Sequence, residues 1–159
     1  MGVVDNSGSF SIYNFDPSFT NNCVYSVKKS SIINFCYFNP SVVAMVSSNS
    51  LHVVDTLIHP KRQIKFKHTF NKDPLSLATL GDNRVVVLRK NDALIYDIRN
   101  EKLEGTREFK GKGAKSIYVE NDLIYVGMAD SKIKVFDSYG SGDTSVNIRV
   151  GSGGKICFI

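Results

Sequence analysis

The sequence predicts an all-β chain: a β-propeller segment of about four blades, each of four antiparallel strands, with the first and last blades incomplete. Three observations carry this reading. Segments of one pattern recur at nearly equal spacing, and the intervals fill with short β-branched and aromatic runs bounded by turn residues. No stretch holds a 3.6-residue apolar period over a dozen residues, so helices are expected to be few or absent. At 159 residues, 42% hydrophobic and 22% charged, the chain has an ordinary globular composition and the length for one real core. Residues 1–159 are therefore read as a single propeller or partial propeller, with repeats at roughly 1–28, 29–71, 72–112 and 113–159.

Each recurring segment is a polar turn, then alternating apolar residues, then a bulky residue followed by Asp or Asn. The four are NSGSFSIYN, SNSLHVVD, KNDALIYD and ADSKIKVFD, closing on Tyr13-Asn14, Val54-Asp55, Tyr96-Asp97 and Phe136-Asp137. Their second members lie 41, 42 and 40 residues apart, a propeller-blade period. In the first unit VVD (Val3–Asp5) reads as a second strand with no strand before it. The second unit holds IINFCYF (Ile32–Phe38), the turn Asn39-Pro40 and VVAMVS (Val42–Ser47). The third holds PLSLATL (Pro74–Leu80), the turn Gly81-Asp82-Asn83 and RVVVLR (Arg84–Arg89). The fourth holds KSIYVE (Lys115–Glu120), the turn Asn121-Asp122 and LIYVGM (Leu123–Met128). A further strand follows each closing pair. In IKFKHTF the alternation places Ile64, Phe66, His68 and Phe70 on one face; in VNIRV it places Val146, Ile148 and Val150 together. Pro17, Pro40, Pro60 and Pro74 all fall at element boundaries, where a missing N–H costs a ladder least. KICFI (Lys155–Ile159) reads as the first strand of another blade. The termini are thus expected either to close one blade together or to leave an open arc completed by further blades of the same or another chain.

The repeat resembles the WD40 unit. Its closing pair would be Trp-Asp; this chain has no tryptophan and carries Tyr, Val, Tyr and Phe in that place, with Asp kept in three of four units. The Gly-His pair of the standard unit is absent, so a histidine-centred hydrogen-bond network of the usual kind is not expected. The order of VVDNSGSFSIYN, VVDTLIHP, ALIYDIRNEKL and GMADSKIKVFD is also similar to the C-terminal propeller region of the DmX-like, or rabconnectin, family. The VVDTLIHP piece, with Asp55-Thr56-Leu57 and Pro60, is the most specific of them. That resemblance implies a non-catalytic scaffold in a larger complex. Its partners would be subunits or assembly factors of the vacuolar proton-pumping ATPase, and its place the cytoplasm, peripheral to endosomal or vacuolar membranes.

The net charge of +5, with a pI near 9.1, is mild. The candidate basic contacts are Lys61, Arg62, Lys65 and Lys67 in one cluster and Lys110, Lys112 and Lys115 in another. They read either as solvated strand edges, where lysine discourages edge pairing, or as contacts to an acidic partner. The alternative function they motivate is a subunit of a nucleic-acid or ribonucleoprotein complex. No apolar run reaches the roughly 18–20 residues of a membrane helix. The N-terminus shows no basic-then-apolar signal segment, and Asn6 stands where a myristoylation site would carry Ser or Thr.

An enzyme is not expected, nor a metal or cofactor. Cys23, Cys36 and Cys157 are unpaired in spacing and read as reduced core residues of a cytosolic protein. His52 and His68 read as strand residues and His59 as a loop residue, none with a second ligand at metal spacing. The glycine-rich GKGAK and GSGGKI stretches read as inter-blade loops, because GSGGKI lacks the Ser or Thr that a phosphate loop needs after its Lys and continues as a strand. Asn14, Asp55, Asp97 and Asp137, with Tyr13, Val54, Tyr96 and Phe136 before them, read as structural repeat positions. Each carboxylate is expected to cap a tight turn rather than to join a catalytic ring.

Overall fold

The computed structural model describes residues 2–7, 9–13, 21–26, 31–58, 64–109, 113–139 and 146–149; for residues 12, 13, 21–26 and 146–149 it describes the backbone only. Asn14, His59, Pro60, Lys61, Arg62, Lys110, Lys112 and the KICFI segment lie outside that set. All described regular structure is β, and no helix is long and apolar enough to cross a membrane.

Four antiparallel sheets follow one another along the chain. The first contains β1 (Gly2–Val4), β2 (Ser9–Tyr13) and β3 (Asn21–Ser26). The second contains β4 (Ile32–Tyr37), β5 (Val42–Ser47), β6 (Ser50–Asp55) and β7 (Ile64–Thr69). The third contains β8 (Pro74–Leu80), β9 (Arg84–Arg89), β10 (Asp92–Asp97) and β11 (Lys102–Glu108). The fourth contains β12 (Ala114–Glu120), β13 (Leu123–Met128), β14 (Lys132–Asp137) and β15 (Val146–Arg149). In every sheet the strands pair in chain order. The first sheet thus has three described strands, beginning with the segment expected as a second strand, and the other three have four.

The sheets stack face to face, and strand sequence explains why. In β9 the run Val85–Leu88 is fully buried because its two faces serve two cores. Val85 and Val87 pack toward the second sheet with Val53, Phe66 and Tyr96, while Val86 and Leu88 pack toward the fourth with Ile117, Val126 and Phe136. The same division runs through β5, where Val43 and Met45 join Phe10 of the first sheet and Ala44 and Val46 join the third. A continuous β-branched run is what a strand buried on both sides requires. The first strand of each complete sheet touches its neighbours, β4 on β8 and β8 on β12, as the inner strands of adjacent blades do.

Turn chemistry repeats with the blades. The first residue after each closing Asp donates its N–H to the first hairpin of its own sheet: Thr56 to Ser41 O (2.7 Å), Ile98 to Asn83 O (2.8 Å) and Ser138 to Asp122 O (3.0 Å). Asn121 and Asp122 take φ of 49° and 61°, the left-handed pair of a two-residue hairpin turn. Gly2 is held by close approach: a Cβ there would lie 2.5 Å from the Tyr37 hydroxyl and under 3 Å from the Phe10 ring.

One face assignment is corrected. Phe66 opposes Val53 but Ile64 opposes Val54, so Lys65 is an extra residue in β7. This bulge turns Ile64 to the other face, where it is 48% exposed, away from buried Phe66 and Phe70. A bulge also recurs at the second residue of β4, β8 and β12, where Ile33, Leu75 and Lys115 are extra and exposed.

Candidate functional site

The antiparallel order places the first and third hairpin turns of each blade on one rim, and two clefts open there between blades. One, of about 510 Å³, lies between the second and third blades and is lined by Asn39, Lys65, Asp82, Asn83, Arg99 and Glu101 among others. The second, of about 470 Å³, lies between the third and fourth blades. Asn83 and Arg99 line both, so the clefts are neighbours on a continuous rim.

One residue in the lining sets the second cleft apart from the first. Gly105 pairs with Ile95 in the third blade at the place where Phe66 pairs with Val53 in the second. Phe66 is buried and packs on Tyr96 of the next blade at a ring distance of 5.9 Å, filling its groove. Glycine leaves the corresponding space empty. Arg107, which holds the place of His68, lies along the opening: its Nη2 donates to Ser138 O at 3.3 Å and its Nη1 to Thr106 O at 3.5 Å. Its Nε is buried and unpartnered, as is the Oγ of Ser138, a residue only 6% exposed. Arg107 meets no carboxylate among the described residues, and both orphaned atoms belong to residues that line the cleft. Arg84 closes the far side. It donates to the Tyr139 hydroxyl (2.7 Å) and to Asp122 Oδ1 (3.2 Å), with its guanidinium 4.3 Å from the Tyr139 ring centroid.

The closing aspartates bracket this rim. Asp55 Oδ1 accepts the Leu57 N–H at 3.1 Å, and Asp137 Oδ1 accepts the Tyr139 N–H at 2.8 Å. Asp97 Oδ1 accepts the Asn100 N–H at 3.0 Å, while its Oδ2 takes the Asn100 side-chain amide. The backbone bond from Leu57 holds the Asp55 carboxyl below the usual range, helped by Lys65 at 3.1 Å and opposed by burial. The Asn100 backbone bond does the same for Asp97. With both oxygens engaged, Asp97 is a structural anion. The preceding residues Val54, Tyr96 and Phe136 are buried between blades.

Of the basic residues singled out in sequence, Lys65 is paired with Asp55 beside the first cleft. Lys67 and Lys115 are exposed on β7 and on the bulge of β12, lining neither cleft. The arginines that do line the second cleft, Arg84, Arg99 and Arg107, were not singled out, because they are scattered in sequence. His52 is 3% exposed and closes a buried chain: Ser47 Oγ to Ser50 Oγ (2.8 Å) and Ser50 Oγ to His52 Nε2 (2.7 Å). Burial, with Lys67 adding to it, pushes the imidazole down to about 4. Burial also pushes the Cys36 thiol up to about 12, so it stays protonated and unreactive at neutral pH.

No protein-family model matches the chain, and no curated protein matches it in sequence. Solved structures do. The fold is similar to that of Sqt1 from Chaetomium thermophilum (19% identity, TM-score 0.75), covering 93% of this chain and 42% of that one. It is similar to a chain of the mitotic checkpoint complex (17%, 0.73), covering 97% and 48% respectively. The fold is a WD40-type β-propeller segment. The computationally designed Ika8 protein is also similar (18%, 0.73), with 97% of this segment covering 46% of that chain. The propeller segment therefore spans under half the length of these three structures, and identities this low speak for the fold alone.

Proposed function

We propose that this propeller segment is a non-catalytic protein-interaction scaffold and one part of a larger ring. The observation that carries the reading is the outward face of the fourth blade. Leu123, Tyr125, Ile133 and Val135 hold the positions that face the next blade in the second and third sheets, and all four are only half-buried. Tyr118 beside them is 39% exposed. An apolar sheet face of that kind calls for a covering layer. The covering layer that fits is a further blade, because the equivalent positions of the second and third sheets are covered by the blade that follows. Light scattering on the 159-residue chain tests this. Self-association above 17.6 kDa, reduced by Tyr125→Lys, is expected; a monodisperse monomer that binds no hydrophobic dye overturns the reading.

The finer reading is assembly of the vacuolar proton-pumping ATPase at endosomal or vacuolar membranes. It rests on the segment resemblance to the rabconnectin family and on nothing in the rim geometry. Affinity capture with the protein as bait tests it: recovery of pump subunits supports it, and recovery of other partners alone discards it while leaving the scaffold. The nucleic-acid alternative gains no support from the rim, where Asp82, Glu101, Glu104 and Asp122 stand among the arginines and would repel a polyanion.

A further inference from the structure

We propose that the cleft between the third and fourth blades receives the phosphate of a phosphorylated serine or threonine on a partner protein. This rests on the scaffold reading and names the chemistry its rim would recognise.

Three features carry it. The first is the void itself: Gly105 leaves a space that Phe66 fills in the neighbouring groove, floored by Ile95 and open at the rim. The second is unspent hydrogen-bonding capacity. Arg107 Nε and the Oγ of nine-tenths-buried Ser138 are donors without partners, buried just behind the surface of residues that line the cleft. Arg107 spends its other nitrogens on two backbone carbonyls at 3.3 and 3.5 Å, longer than the usual charge-assisted bond. The third is the balance of charge. Arg84 is paired with Asp122, while Arg99 and Arg107 form no ion pair among the described residues, although the carboxylates of Glu104 and Asp97 also line the cleft. A compact anion with several acceptor oxygens answers all three, and guanidinium groups are the side chains best shaped to bind it.

Size decides the class of side chain. At the floor of the cleft, where Gly105 stands in place of a phenylalanine, the space takes a phosphate on a short stem rather than a phosphate beyond an aromatic ring. Tyr139, 71% exposed and braced against Arg84, stands at the mouth as an apolar contact for a flanking residue. The acidic residues around the rim disfavour a nucleic-acid backbone or an anionic membrane, each of which brings many charges, but leave room for one phosphate.

The test uses the isotopically labelled full chain and inorganic phosphate as the first probe. Saturable shifts of the Arg107 Nε–H resonance and of the Ser138 and Tyr139 amides are expected. Arg107→Ala is expected to weaken binding about tenfold or more. Gly105→Phe, whose Cβ would meet only Arg107 Nη1 at 3.4 Å, keeps every charge and fills the void, and binding should be lost with the melting temperature held. Glu104→Gln should tighten binding by about two- to fivefold, an effect that a structural role does not produce. Absence of saturable shifts in the wild type, or unchanged binding by Gly105→Phe, overturns the proposal. A peptide array then separates the sources. Phosphoserine and phosphothreonine peptides should be retained over their unmodified counterparts, and vesicles containing a phosphoinositide should not compete. Peptide capture indifferent to phosphorylation sinks the phosphate site and spares the scaffold; vesicle binding through Arg107 sinks it in favour of a lipid headgroup.

Discussion

Removing one oxygen from the middle of the fold should make it more stable. Tyr96 is 1% exposed, packed among Phe66, His68 and Phe70 at ring distances of 5.9, 5.0 and 6.3 Å, and its hydroxyl is buried with no hydrogen-bond partner. Burial has already driven the phenol up to about 12, a sign of how poorly the site solvates charge. An unpartnered buried hydroxyl costs about 1–3 kcal/mol of desolvation, while the ring contacts are common to tyrosine and phenylalanine. Phe136 holds the same repeat position in the fourth blade and is buried there, so the ring is accommodated without an oxygen. Tyr96→Phe is therefore expected to stabilise the fold by about 1–2 kcal/mol, and to raise the melting temperature by about 2–6 °C at this chain length. Urea unfolding followed by fluorescence, with the m-value held constant, measures it. A loss of 1 kcal/mol or more would show that the hydroxyl is engaged, and the argument from orphaned burial would fall.

Other expectations follow from the same geometry. Phe66→Ala should destabilise by about 3–4 kcal/mol in chemical denaturation, since it opens between the second and third blades the void that Gly105 leaves between the third and fourth. Asp97→Ala frees the Asn100 N–H and should cost about 1–2 kcal/mol, read as a lower urea midpoint; because the native carboxyl is held low, its contribution should fade as pH falls through the acid range. His52 should make stability pH-dependent. Its imidazole titrates near 6.5 when unfolded and about 4 when folded, so the unfolded chain binds the extra proton. Stability from this group is complete above pH 6.5 and lost progressively down to pH 4, by at most about 3 kcal/mol. His52→Leu, which places in the second blade the residue that Leu94 supplies in the third, should flatten that part of the profile; an unchanged slope would refute the assignment.

What the sequence disclosed depended on whether the signal was local. The strands over 42–47, 74–80, 84–89 and 123–128 begin and end where the β-branched runs and their turn residues place them, because both signals act within a few residues. Face assignments failed at Ile64, since strict alternation assumes an unbroken register and the bulge at Lys65 is decided by pairing with Val53 and Val54. The cleft was hidden for a related reason. Its arginines sit at 84, 99 and 107, on separate strands and turns that only the hairpins bring together, whereas the lysine runs drew notice by adjacency. The absence of a large residue at 105 was masked by loop length: Phe66 lies 11 residues beyond Asp55, and Gly105 only 8 beyond Asp97. The Ser47–Ser50–His52 chain was likewise missed, because the expectation was framed around a Gly-His pair and this histidine enters from a different strand position.

The strand sequences also speak to the surroundings of the segment. A strand exposed on one side alternates polar with apolar residues, and a strand between two layers does not. RVVVLR in the third blade is of the second kind and is buried on both sides. LIYVGM in the fourth blade is of the same kind: Ile124 and Val126 turn inward and are fully buried, while Leu123 and Tyr125, on the opposite side, are as apolar but remain half open. Ile133 and Val135 of the adjoining strand repeat the pattern. Selection for solubility alone would place charges at those four positions. Their composition is that of a strand with neighbours on both faces, and it is this mismatch between sequence and exposure, rather than the count of blades, that argues for a further layer.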